Sequence, residues 1–504
     1  MKAVILAGGF GTRMRPLTFS CPKPLLPLLN KPVTSYILDH LSAHGVSEVA
    51  ITTNYLREQI MGYYGPEYNG LRLHFPAEEK PLGTAGCVKN IEDFFDDTFI
   101  VMQGDTITDV DLRQLVIQHK YASGLATIAA VKVEDPWNYG TMDLADDGRV
   151  RQFHEKPLMD QCTSNLVNTG IYVLEPEALD HVPKDTFYDF AKDLFPVLMD
   201  SKSLFAHQTD AFWADVGRPA GYVAAKKWLM SGIKNDISDS AQVEGRLEGN
   251  VVFGENVKVG RHSQIFGPVV LGDGVVLERG CVVGPYTVLG SGVTVREYTM
   301  LNGAVLFEKT EIGSKEEVSD SLIAEKCRIG SGGVIQSDVM IGGSCLLQGN
   351  VSVINGSRIW PNMEITENSM VSGTLRRFVQ LHEIRDDPRW SLRSVNPDEG
   401  FYFNKLESNR VMYTGLRALS LLDFDNLLKH VDLSSVNYHM RSDVNDFSQW
   451  MQKIICDPVL AETFNDIKRE CSQLDARIVR HRMIEATNDR LNGLLNAAKP
   501  KGYV

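Results

Sequence analysis

The sequence predicts three domains of different fold class: an α/β domain with a mainly parallel sheet, a parallel β-helix and a small α-helical domain. Three observations support this division of the 504 residues. Strand-like and helix-like segments alternate over residues 1–232, a six-residue repeat occupies 250–373, and helix-like spacing fills 379–504. A chain of this length can form about three separate hydrophobic cores.

The predicted α/β domain, residues 1–232, shows short β-rich apolar runs separated by helical patterns. The runs lie at 4–7, 49–52, 99–102 and 126–131, and residues 35–41 have helical spacing. Alternation of this kind is typical of a layered α/β domain with a mainly parallel sheet.

The second domain is predicted from a large apolar residue at every sixth position. The first run of these residues is Phe253, Val259, Ile265, Leu271, Leu277, Val283, Leu289, Val295, Leu301 and Phe307. The next residue is often glycine, and the fifth of each six is small or β-branched, as in Val305. A period of six is the repeat of a parallel β-helix, whose period-six side chain points into a narrow core. The phase slips after Phe307 and resumes from Ile323 to Val371, so we expect a looped-out or irregular turn between the two runs.

The six-residue repeat stops after Leu375, and helical spacing follows at 411–431, 444–454, 459–470 and 477–495. We therefore predict a mostly helical domain at 379–504. Its stretch from Phe401 to Trp450 resembles a small helical domain of unknown function found on some carbohydrate-linked proteins. His439, Asp446 and Trp450 could form a ligand pocket there, or they belong to a packing module with an aromatic core.

Composition and charge exclude several classes of protein. The formal charge of −13 repels polyanions, which argues against a nucleic-acid partner and requires a local basic cluster for any phosphate binding. No apolar run approaches the roughly 18 residues of a membrane span, and the opening MKAVILAGG is too short for a signal peptide. We therefore expect a cytoplasmic protein with no membrane partner. The 8 cysteines form no C-x-x-C pair, which indicates reduced thiols rather than a disulfide or zinc framework.

A glycine-rich segment, LAGGFGTRMRPLT, follows the first predicted strand directly. Consecutive glycines allow backbone N–H groups to approach an anion, and ligands bind at strand ends in α/β sheets. The segment lacks the Lys-Ser/Thr of a P-loop, and Met14 stands where a dinucleotide fingerprint needs a third glycine. Arg13, Arg15, Lys23 and Lys31 supply local positive charge, although a glycine-rich turn with surface cations would look similar.

Two carboxylates suggest a metal site. Asp105 follows the predicted strand at 99–102, and Asp215 lies in a later Trp-Ala-Asp-Val-Gly segment. Two carboxylates with few histidines nearby suit Mg2+ held together with substrate phosphates. Either aspartate alone is more often a turn residue or a helix cap. Glu155 and Lys156 place an acid beside a base, which is also compatible with a solvated strand end.

Seven motifs occur together in a fixed order. They are GGFGTRMRPLT with Cys21-Pro-Lys-Pro24, Leu82-Gly-Thr-Ala-Gly86, Gly104-Asp105, Asn138-Tyr-Gly140, Glu155-Lys-Pro157, Val167-Asn-Thr-Gly170 and Trp213-Ala-Asp-Val-Gly217. As an ordered set these segments resemble the sugar-1-phosphate nucleotidyltransferases, or NDP-sugar pyrophosphorylases. The resemblance implies a Rossmann-like nucleotidyltransferase domain followed by a left-handed parallel β-helix, with the small helical domain at the C-terminus.

The resemblance also implies a role for each matching residue. Nucleotide binding falls to Leu6, Ala7, Gly8, Gly9, Gly11, Thr12, Gly83 and Thr84, and the catalytic set is Arg13, Lys23, Asp105, Lys156 and Asp215. Within these sets, Arg13 and Lys23 would hold the nucleotide phosphates, and Asp105 and Asp215 would hold Mg2+. Gly140, Glu155 and Asn168 would bind sugar hydroxyls, and Lys156 would bind the sugar phosphate.

These groups are chemically sufficient for nucleotidyl transfer. A sugar 1-phosphate is already an anionic nucleophile at pH 7, so attack on the α-phosphorus of a nucleoside triphosphate needs no general base. The reaction requires two mutually repelling anions to be positioned and the charge on the leaving pyrophosphate to be stabilised. Arg13, Lys23, Lys156 and Mg2+ would meet that requirement.

The turn Pro81-Leu-Gly-Thr-Ala-Gly86 resembles that of mannose-1-phosphate guanylyltransferases, so we expect GDP-mannose synthesis. A glucose-1-phosphate uridylyl-, thymidylyl- or adenylyltransferase is the alternative. A bifunctional uridylyltransferase and acetyltransferase would need a histidine base, and between His207 and His382 the sequence offers His262 alone. A catalytically dead regulatory subunit would lack some of the catalytic residues named above, which are all present. We interpret the β-helix as an oligomerisation and regulatory scaffold, and we therefore expect a homo-oligomer.

Overall fold

The computed structural model describes residues 1–9, 11–19, 21–53, 57–77, 82–159, 162–375, 391–407, 410–441, 445–470 and 475–498. The chain forms two compact units. The first contains Met1–Met14 and Ser20–Gly232, and the second contains Arg15–Phe19 and Ile233–Val504. The predicted start of the helical domain at 379 lies outside the described residues. Among the described residues, no helix is long and apolar enough to cross a membrane.

The first unit is an α/β domain built on a ten-stranded sheet. Its strands, with two short pairs outside that sheet, are β1 (Lys2–Leu6), β2 (Pro27–Leu28), β3 (Lys31–Pro32), β4 (Glu48–Thr52), β5 (Glu67–Tyr68), β6 (Leu71–His74), β7 (Phe99–Gln103), β8 (Thr106–Thr108), β9 (Ala126–Lys132), β10 (Gly140–Leu144), β11 (Val150–Glu155), β12 (Leu166–Leu174), β13 (Leu204–Gln208) and β14 (Trp213–Asp215). Its helices are α1 (Val33–Ala43), α2 (Arg57–Tyr64), α3 (Gly83–Lys89), α4 (Leu112–Ala122), α5 (Phe195–Asp200) and α6 (Pro219–Ser231).

The centre of this sheet is parallel, as predicted, because β1 pairs in parallel with both β4 and β7. The side chains of β1 are buried on both faces, which explains its uninterrupted apolar sequence. The sheet becomes antiparallel where β12 joins β7, β9 and β10. The carboxyl ends of β1, β4 and β7 therefore meet at one edge of the sheet.

The second unit contains the parallel β-helix. Its strands are β15 (Asp236–Ile237), β16 (Gln242–Val243), β17 (Arg246–Glu248), β18 (Val251–Phe253), β19 (Lys258–Val259), β20 (Gln264–Phe266), β21 (Val269–Leu271), β22 (Val276–Leu277), β23 (Val282–Val283), β24 (Thr287–Leu289), β25 (Thr294–Val295), β26 (Met300–Asn302), β27 (Val305–Leu306), β28 (Glu311–Ile312), β29 (Glu317–Ser319), β30 (Leu322–Ile323), β31 (Arg328–Ile329), β32 (Val334–Ile335), β33 (Met340–Ile341), β34 (Leu346–Leu347), β35 (Ser352–Ile359), β36 (Glu364–Ile365) and β37 (Met370–Leu375). Most period-six residues, including Val283, lie in one continuous hydrophobic core, so the β-helix prediction is confirmed.

The predicted phase is wrong at one point. Val288 pairs with Val305 and Leu289 pairs with Leu306, so Leu306 rather than Phe307 occupies the inward position. The register shortens by one residue there and again before Ile323. Gly303 and Asp320, both with positive φ, lie in the two shortened turns. The expected looped-out or irregular turn is therefore a pair of shortened turns, which keep every coil paired with the next.

A hairpin and five α-helices follow the β-helix among the residues described beyond Gly400. They are β38 (Phe401–Glu407), β39 (Arg410–Ala418), α7 (Leu421–Leu428), α8 (Leu433–Arg441), α9 (Asp446–Trp450), which continues as a π-helix, α10 (Pro458–Glu470) and α11 (Ala476–Ala498). The helical character is confirmed, but the helix predicted at 411–431 is wrong up to Ala418, where β39 lies instead. Pairing with β37 and β38 accounts for this difference, and Gly415, with φ +86°, lies where the register between β38 and β39 shifts. Val444, the start of another predicted helix, lies outside the described residues.

Candidate active site

A cavity of about 250 Å3 opens at the carboxyl edge of the first unit's sheet. It collects eight of the site residues that the sequence predicts: Arg13, Thr84, Asp105, Gly140, Glu155, Lys156, Asn168 and Asp215. Lys23 and the remaining predicted residues lie outside this lining, as far as the described part of the chain shows. They are Leu6, Ala7, Gly8, Gly9, Gly11, Thr12 and Gly83.

The pairing of β8 with β14 brings the two predicted metal carboxylates together. Asp215 pairs with Thr106, and the N–H of Val216 donates to the carbonyl of Asp105 at 2.9 Å. Gly217 lies between the two carboxylates, since a Cβ built there would be 2.6 Å from Asp215 Oδ1 and 2.7 Å from Asp105 Oδ2. A glycine is needed at this position because a side chain would collide with both carboxylates and with the ammonium group of Lys23.

Two cations balance these carboxylates. The ammonium group of Lys23 forms an ion pair with Asp105, and Arg13 Nη1 lies 3.5 Å from Asp215 Oδ2. Burial lowers the pKa of Lys23 to about 8, although the nearby Asp215 carboxylate opposes this shift. The cluster therefore holds positive charge beside two carboxylates, an arrangement that can bind a phosphate chain and a cation together.

The donor set fits a divalent cation that is shared with a substrate. Asp105 and Asp215 converge on one point, yet no group of three or more His, Cys, Asp or Glu side chains suited to a metal occurs among the described residues. Hard carboxylate oxygens are the ligands that Mg2+ prefers, and this ion commonly completes its shell with water and substrate phosphates. Asp105 and Asp215 would therefore hold Mg2+ only together with a phosphate ligand.

The glycine-rich loop begins beside these carboxylates. The N–H of Gly104 donates to the carbonyl of Leu6 at 2.9 Å, and the N–H of Ala7 donates to the carbonyl of Thr52 at 2.8 Å. Gly11 adopts φ +63° and accepts a hydrogen bond from the N–H of Met14 at 2.9 Å. These contacts place the loop next to Asp105 and direct Arg13 into the cavity.

The turn predicted at Gly83 and Thr84 is the start of helix α3, and it packs against a distant loop. Gly83 has φ +74°, and a Cβ there would lie 2.6 Å from the carbonyl oxygen of Tyr188. The hydroxyl of Thr84 donates to Asp189 Oδ2 at 2.8 Å and accepts the N–H of Phe190 at 2.9 Å. This turn is therefore rigidly attached to the loop at 188–190.

The predicted sugar-binding residues lie on paired strands. Gly140 of β10 faces Glu155 of β11, and a Cβ at Gly140 would lie 2.8 Å from Glu155 Oε2. Lys156 follows with φ +48°, and its Nζ lies 3.3 Å from Glu155 Oε1. Asn168 is oriented on β12, because its Oδ1 accepts the N–H of Gly170 at 2.8 Å. The three strands thus place an acid, a base and an amide around one cavity.

Several lining residues were missed by sequence reasoning. Gln103, Tyr172 and Asp189 all line the cavity. Gln103 stands directly before the Gly-Asp motif and Tyr172 lies two residues after the Asn-Thr-Gly motif, so proximity to a motif could have identified both. Asp189 has no such signal, because its position depends on the contact with Thr84.

The alternative pocket in the third domain is a packing cluster. His439 Nδ1 lies 2.9 Å from Asp446 Oδ2, and His439 Nε2 accepts the N–H of Asn404 at 2.9 Å. Trp450 Nε1 donates to the carbonyl of Glu399 at 2.7 Å. The polar atoms of these three side chains are used in holding the domain together, as the packing-module interpretation predicted.

Comparison with known proteins agrees with this geometry. Residues 2–231 match the family model "Nucleotidyl transferase", and residues 265–375 match "GMPPB C-terminal domain". A UTP--glucose-1-phosphate uridylyltransferase of Synechocystis is 34% identical over 343 residues, or 64% of this chain and 87% of the relative. A probable mannose-1-phosphate guanylyltransferase 3 of Oryza sativa is 31% identical over 374 residues, or 72% of this chain and 97% of the relative.

Two further similarities were found. A mannose-1-phosphate guanyltransferase of Schizosaccharomyces pombe is 30% identical over 384 residues, covering 74% of this chain and 99% of the relative. Among solved structures, a putative glucose-1-phosphate thymidylyltransferase from Bacillus anthracis matches with a TM-score of 0.43 and 23% identity, over 47% of this chain and 97% of that one.

The α/β domain, its site and the β-helix define an enzyme of the nucleotidyl-transferring class. The chain belongs to the family of sugar-1-phosphate nucleotidyltransferases, as the ordered motifs predicted. Members of this family bind a nucleoside triphosphate and a sugar phosphate and typically use a divalent metal. Both family models end by residue 375, so the hairpin and the helices beyond it lie outside them.

Proposed function

We propose that this enzyme transfers GMP from GTP to mannose 1-phosphate, giving GDP-mannose and pyrophosphate, with Mg2+ as its metal. One observation carries the proposal: relatives named as mannose-1-phosphate guanylyltransferases align over 97% and 99% of their own lengths. The two family models fall on the α/β domain and on the β-helix, and the cavity offers cationic, acidic and amide groups for the two substrates.

The reaction is an in-line displacement at the α-phosphorus. A phosphate oxygen of mannose 1-phosphate forms the new P–O bond, and the bond to the bridging oxygen of the β-phosphate breaks. The electron pair leaves with pyrophosphate, and no proton needs to move. Arg13 and Lys23 would neutralise the triphosphate, and Mg2+ on Asp105 and Asp215 would supply further positive charge to the phosphates.

The sugar phosphate would bind on the side of β10, β11 and β12. Lys156 is the cation at the end of β11, and its ammonium group lies close enough to Glu155 to share a ligand with it. Glu155 and Asn168 provide an acceptor and a donor for hydroxyl groups. The absence of a side chain at Gly140 lets Glu155 and Phe153 pack directly against β10, so the Glu155 carboxylate is held in the wall of the cavity.

The base would be recognised at the turn of Gly83 and Thr84. Guanine presents both donors and acceptors on its edge, and backbone groups at a turn can satisfy them. A group left unpaired in such a site costs about 1–3 kcal/mol, a discrimination of roughly ten- to a hundredfold. The close approach of Gly83 to Tyr188 holds this backbone in place.

A second candidate is uridylyl transfer from UTP to glucose 1-phosphate. It is favoured by the relative of that name from Synechocystis, whose identity of 34% exceeds the 31% of the rice relative. The two candidates share the same phosphate and metal chemistry and differ in the base and in the sugar.

Pyrophosphate release separates these candidates. The assay uses the full chain with ATP, CTP, GTP, UTP and dTTP against mannose, glucose and galactose 1-phosphates. We expect the highest kcat/KM for GTP with mannose 1-phosphate. A higher value for UTP or dTTP with glucose 1-phosphate would contradict the proposal, and binding without release for every pair would indicate a dead regulatory subunit.

We further propose that the enzyme acts in the cytoplasm as a homo-oligomer assembled through the β-helix. The β-helix is long, and Val282 pairs with Met300 on its outer surface, where Met300 is exposed. Light scattering coupled to gel filtration would measure the mass in solution. Recovery of the monomer mass of 56.1 kDa at micromolar concentrations would contradict this assembly.

A further inference from the structure

Gln103 is a polar side chain in the candidate active site that no step of the proposed reaction uses. It ends β7, two residues before Asp105, and lines the same cavity as Glu155 and Asn168. Its amide carries two donor hydrogens and one acceptor oxygen. A neutral side chain with both functions suits sugar hydroxyls, which also donate and accept.

Gly170 has no side chain, and the Gln103 side chain occupies the space where one would lie. It adopts φ +77°, and a Cβ built there would clash with Gln103 Cγ and lie 3.1 Å from Gln103 Cβ. A residue with a side chain would therefore be both strained and overlapped at this position. The backbone of β12 thus packs directly on Gln103 and fixes the course of its side chain along the cavity wall.

Tyr172 lines the same cavity as Gln103. The Tyr172 side chain is 2% exposed, and burial raises the pKa of its hydroxyl, so this group stays protonated at neutral pH. The Gln103 side chain lies close enough to this hydroxyl to oppose the rise in its pKa. Gln103 and Tyr172 are therefore polar neighbours in the wall of the cavity.

Asn168 is oriented by the same tyrosine. Its Nδ2 donates to the Tyr172 hydroxyl at 3.1 Å, while its Oδ1 accepts the N–H of Gly170 at 2.8 Å. The acceptor oxygen of Asn168 is thus used by the backbone, and its second amide hydrogen is the group it can offer to a ligand. Glu155 supplies one acceptor for a sugar hydroxyl in this cavity, and Gln103 is placed to supply a second.

We propose that Gln103 determines sugar specificity by accepting a hydrogen bond, through its amide oxygen, from one ring hydroxyl of the hexose 1-phosphate. The inference rests on the proposed function, since it concerns the sugar half of that reaction. A hexose that lacks this hydroxyl, or directs it elsewhere, leaves the amide oxygen without its partner. A site built to bind a hydroxyl rejects the analogue that lacks it, here by about ten- to a hundredfold in kcat/KM.

The test crosses Gln103 variants with deoxy sugars. Gln103→Met keeps the length of the side chain and removes the amide, Gln103→Glu keeps the acceptor oxygen, and Gln114→Met makes the first change on the exposed face of α4. Each protein is assayed with mannose 1-phosphate and its 2-, 3-, 4- and 6-deoxy analogues. We expect wild type, Gln103→Glu and Gln114→Met to discriminate against one analogue by about ten- to a hundredfold, and Gln103→Met to lose that discrimination with the KM for the nucleotide unchanged.

Discrimination in Gln103→Met equal to that of wild type overturns the assignment. If both Gln103→Glu and Tyr172→Phe lose the discrimination, the Tyr172 hydroxyl is the group that recognises the sugar, and the assignment to Gln103 is again overturned. Calorimetric binding of the same sugars without nucleotide separates this inference from the proposed function. A wild-type protein that binds mannose 1-phosphate but releases no pyrophosphate refutes the function, while its affinities still test Gln103; no binding of any hexose 1-phosphate refutes both.

Discussion

The hydroxyl of Thr84 lies 2.8 Å from Oδ2 of Asp189, across 105 residues of sequence. The same hydroxyl accepts the N–H of Phe190 at 2.9 Å. Asp189 Oδ1 in turn accepts the backbone N–H groups of Ala191 and Lys192, so it caps the helical segment that begins at Phe190. One threonine therefore attaches the turn expected to contact the base to a loop that lines the cavity.

Replacing Thr84 with valine should weaken both this attachment and substrate binding. Valine has the same shape but leaves the buried N–H of Phe190 without its acceptor, which costs about 1–3 kcal/mol of folding free energy. Chemical denaturation and the KM values for both substrates measure the two effects. Thr84→Ser, which keeps the hydroxyl, should behave as wild type, and a valine variant of wild-type stability would contradict this role.

Asp105→Asn and Asp215→Asn should each lower turnover by orders of magnitude with little change in the unfolding temperature. Each removes one of the two carboxylate charges proposed for Mg2+, and each should also raise the Mg2+ concentration needed for half-maximal activity. Initial rates across a Mg2+ titration provide the measurement. Asp210→Asn, an exposed carboxylate five residues from Asp215, is the control, and an unchanged Mg2+ requirement in both site variants would refute the metal assignment.

Lys156→Ala should act mainly on the sugar phosphate. The variant removes the cation at the end of β11, so we expect the KM for sugar 1-phosphate to rise while the KM for the nucleotide stays close to wild type. Lys202→Ala provides a matched control, because Lys202 is also an exposed lysine with positive φ but lies outside the cavity lining. An unchanged sugar KM in Lys156→Ala would exclude the proposed contact.

Val283→Asp should destabilise the β-helix strongly, and Thr294→Asp should be tolerated. Val283 is fully buried in the aliphatic core, where an unpaired carboxylate costs several kcal/mol. Thr294 points outward on β25, although Glu311 lies beside it in the ladder and will add a small repulsion. Thermal unfolding of the two variants compares them directly, and equal stability would mean that the inward and outward positions are wrongly assigned.

Glu316 should make the β-helix less stable as the pH rises. Its side chain is 2% exposed, and burial raises its pKa to about 7, although the N–H of Gly333 donates to the carboxylate and limits the rise. The unfolded chain has an ordinary glutamate pKa. The free energy of unfolding is therefore highest below about pH 4.5 and falls by up to roughly 3 kcal/mol between that pH and about pH 7. Glu316→Gln cannot titrate and should exceed wild type in stability above pH 7. Denaturation curves at pH 5 and pH 8 measure this, and parallel pH dependence in the two proteins would contradict it.

Much of the fold could be predicted because its signals are periodic. A six-residue repeat identifies the β-helix, since every coil needs an inward side chain at the same place. The shift from Phe307 to Leu306 could not be predicted, because both residues are large and apolar and the choice depends on a turn shortened at Gly303. The hairpin strand β39 was missed for a similar reason: its spacing is compatible with a helix until pairing with β37 determines its conformation.

The residues of the candidate site also differ in how readily the sequence predicts them. Charged and glycine residues such as Arg13, Asp105 and Gly83 are recognisable because phosphate chemistry and tight turns demand those residue types. The residue type of a neutral group such as Gln103 does not indicate phosphate chemistry, so its sequence signal is limited to its place beside the Gly-Asp motif. Asp189 is conspicuous only once folding has brought it to Thr84.

The pairing of β39 with β37 changes how the C-terminal region should be understood. A coil of a β-helix ends in a strand with unsatisfied hydrogen-bonding groups, and such an exposed edge can template the addition of another chain. Val371 of β37 pairs with Val411 of β39, and Asn404 Nδ2 donates to the carbonyl of Thr374 at 3.0 Å. The hairpin thus caps the end of the β-helix and prevents another chain from pairing end to end with it. The helices that follow give this cap a hydrophobic core of its own. A protein truncated after residue 375, where the second family model ends, would lose this cap together with its third domain.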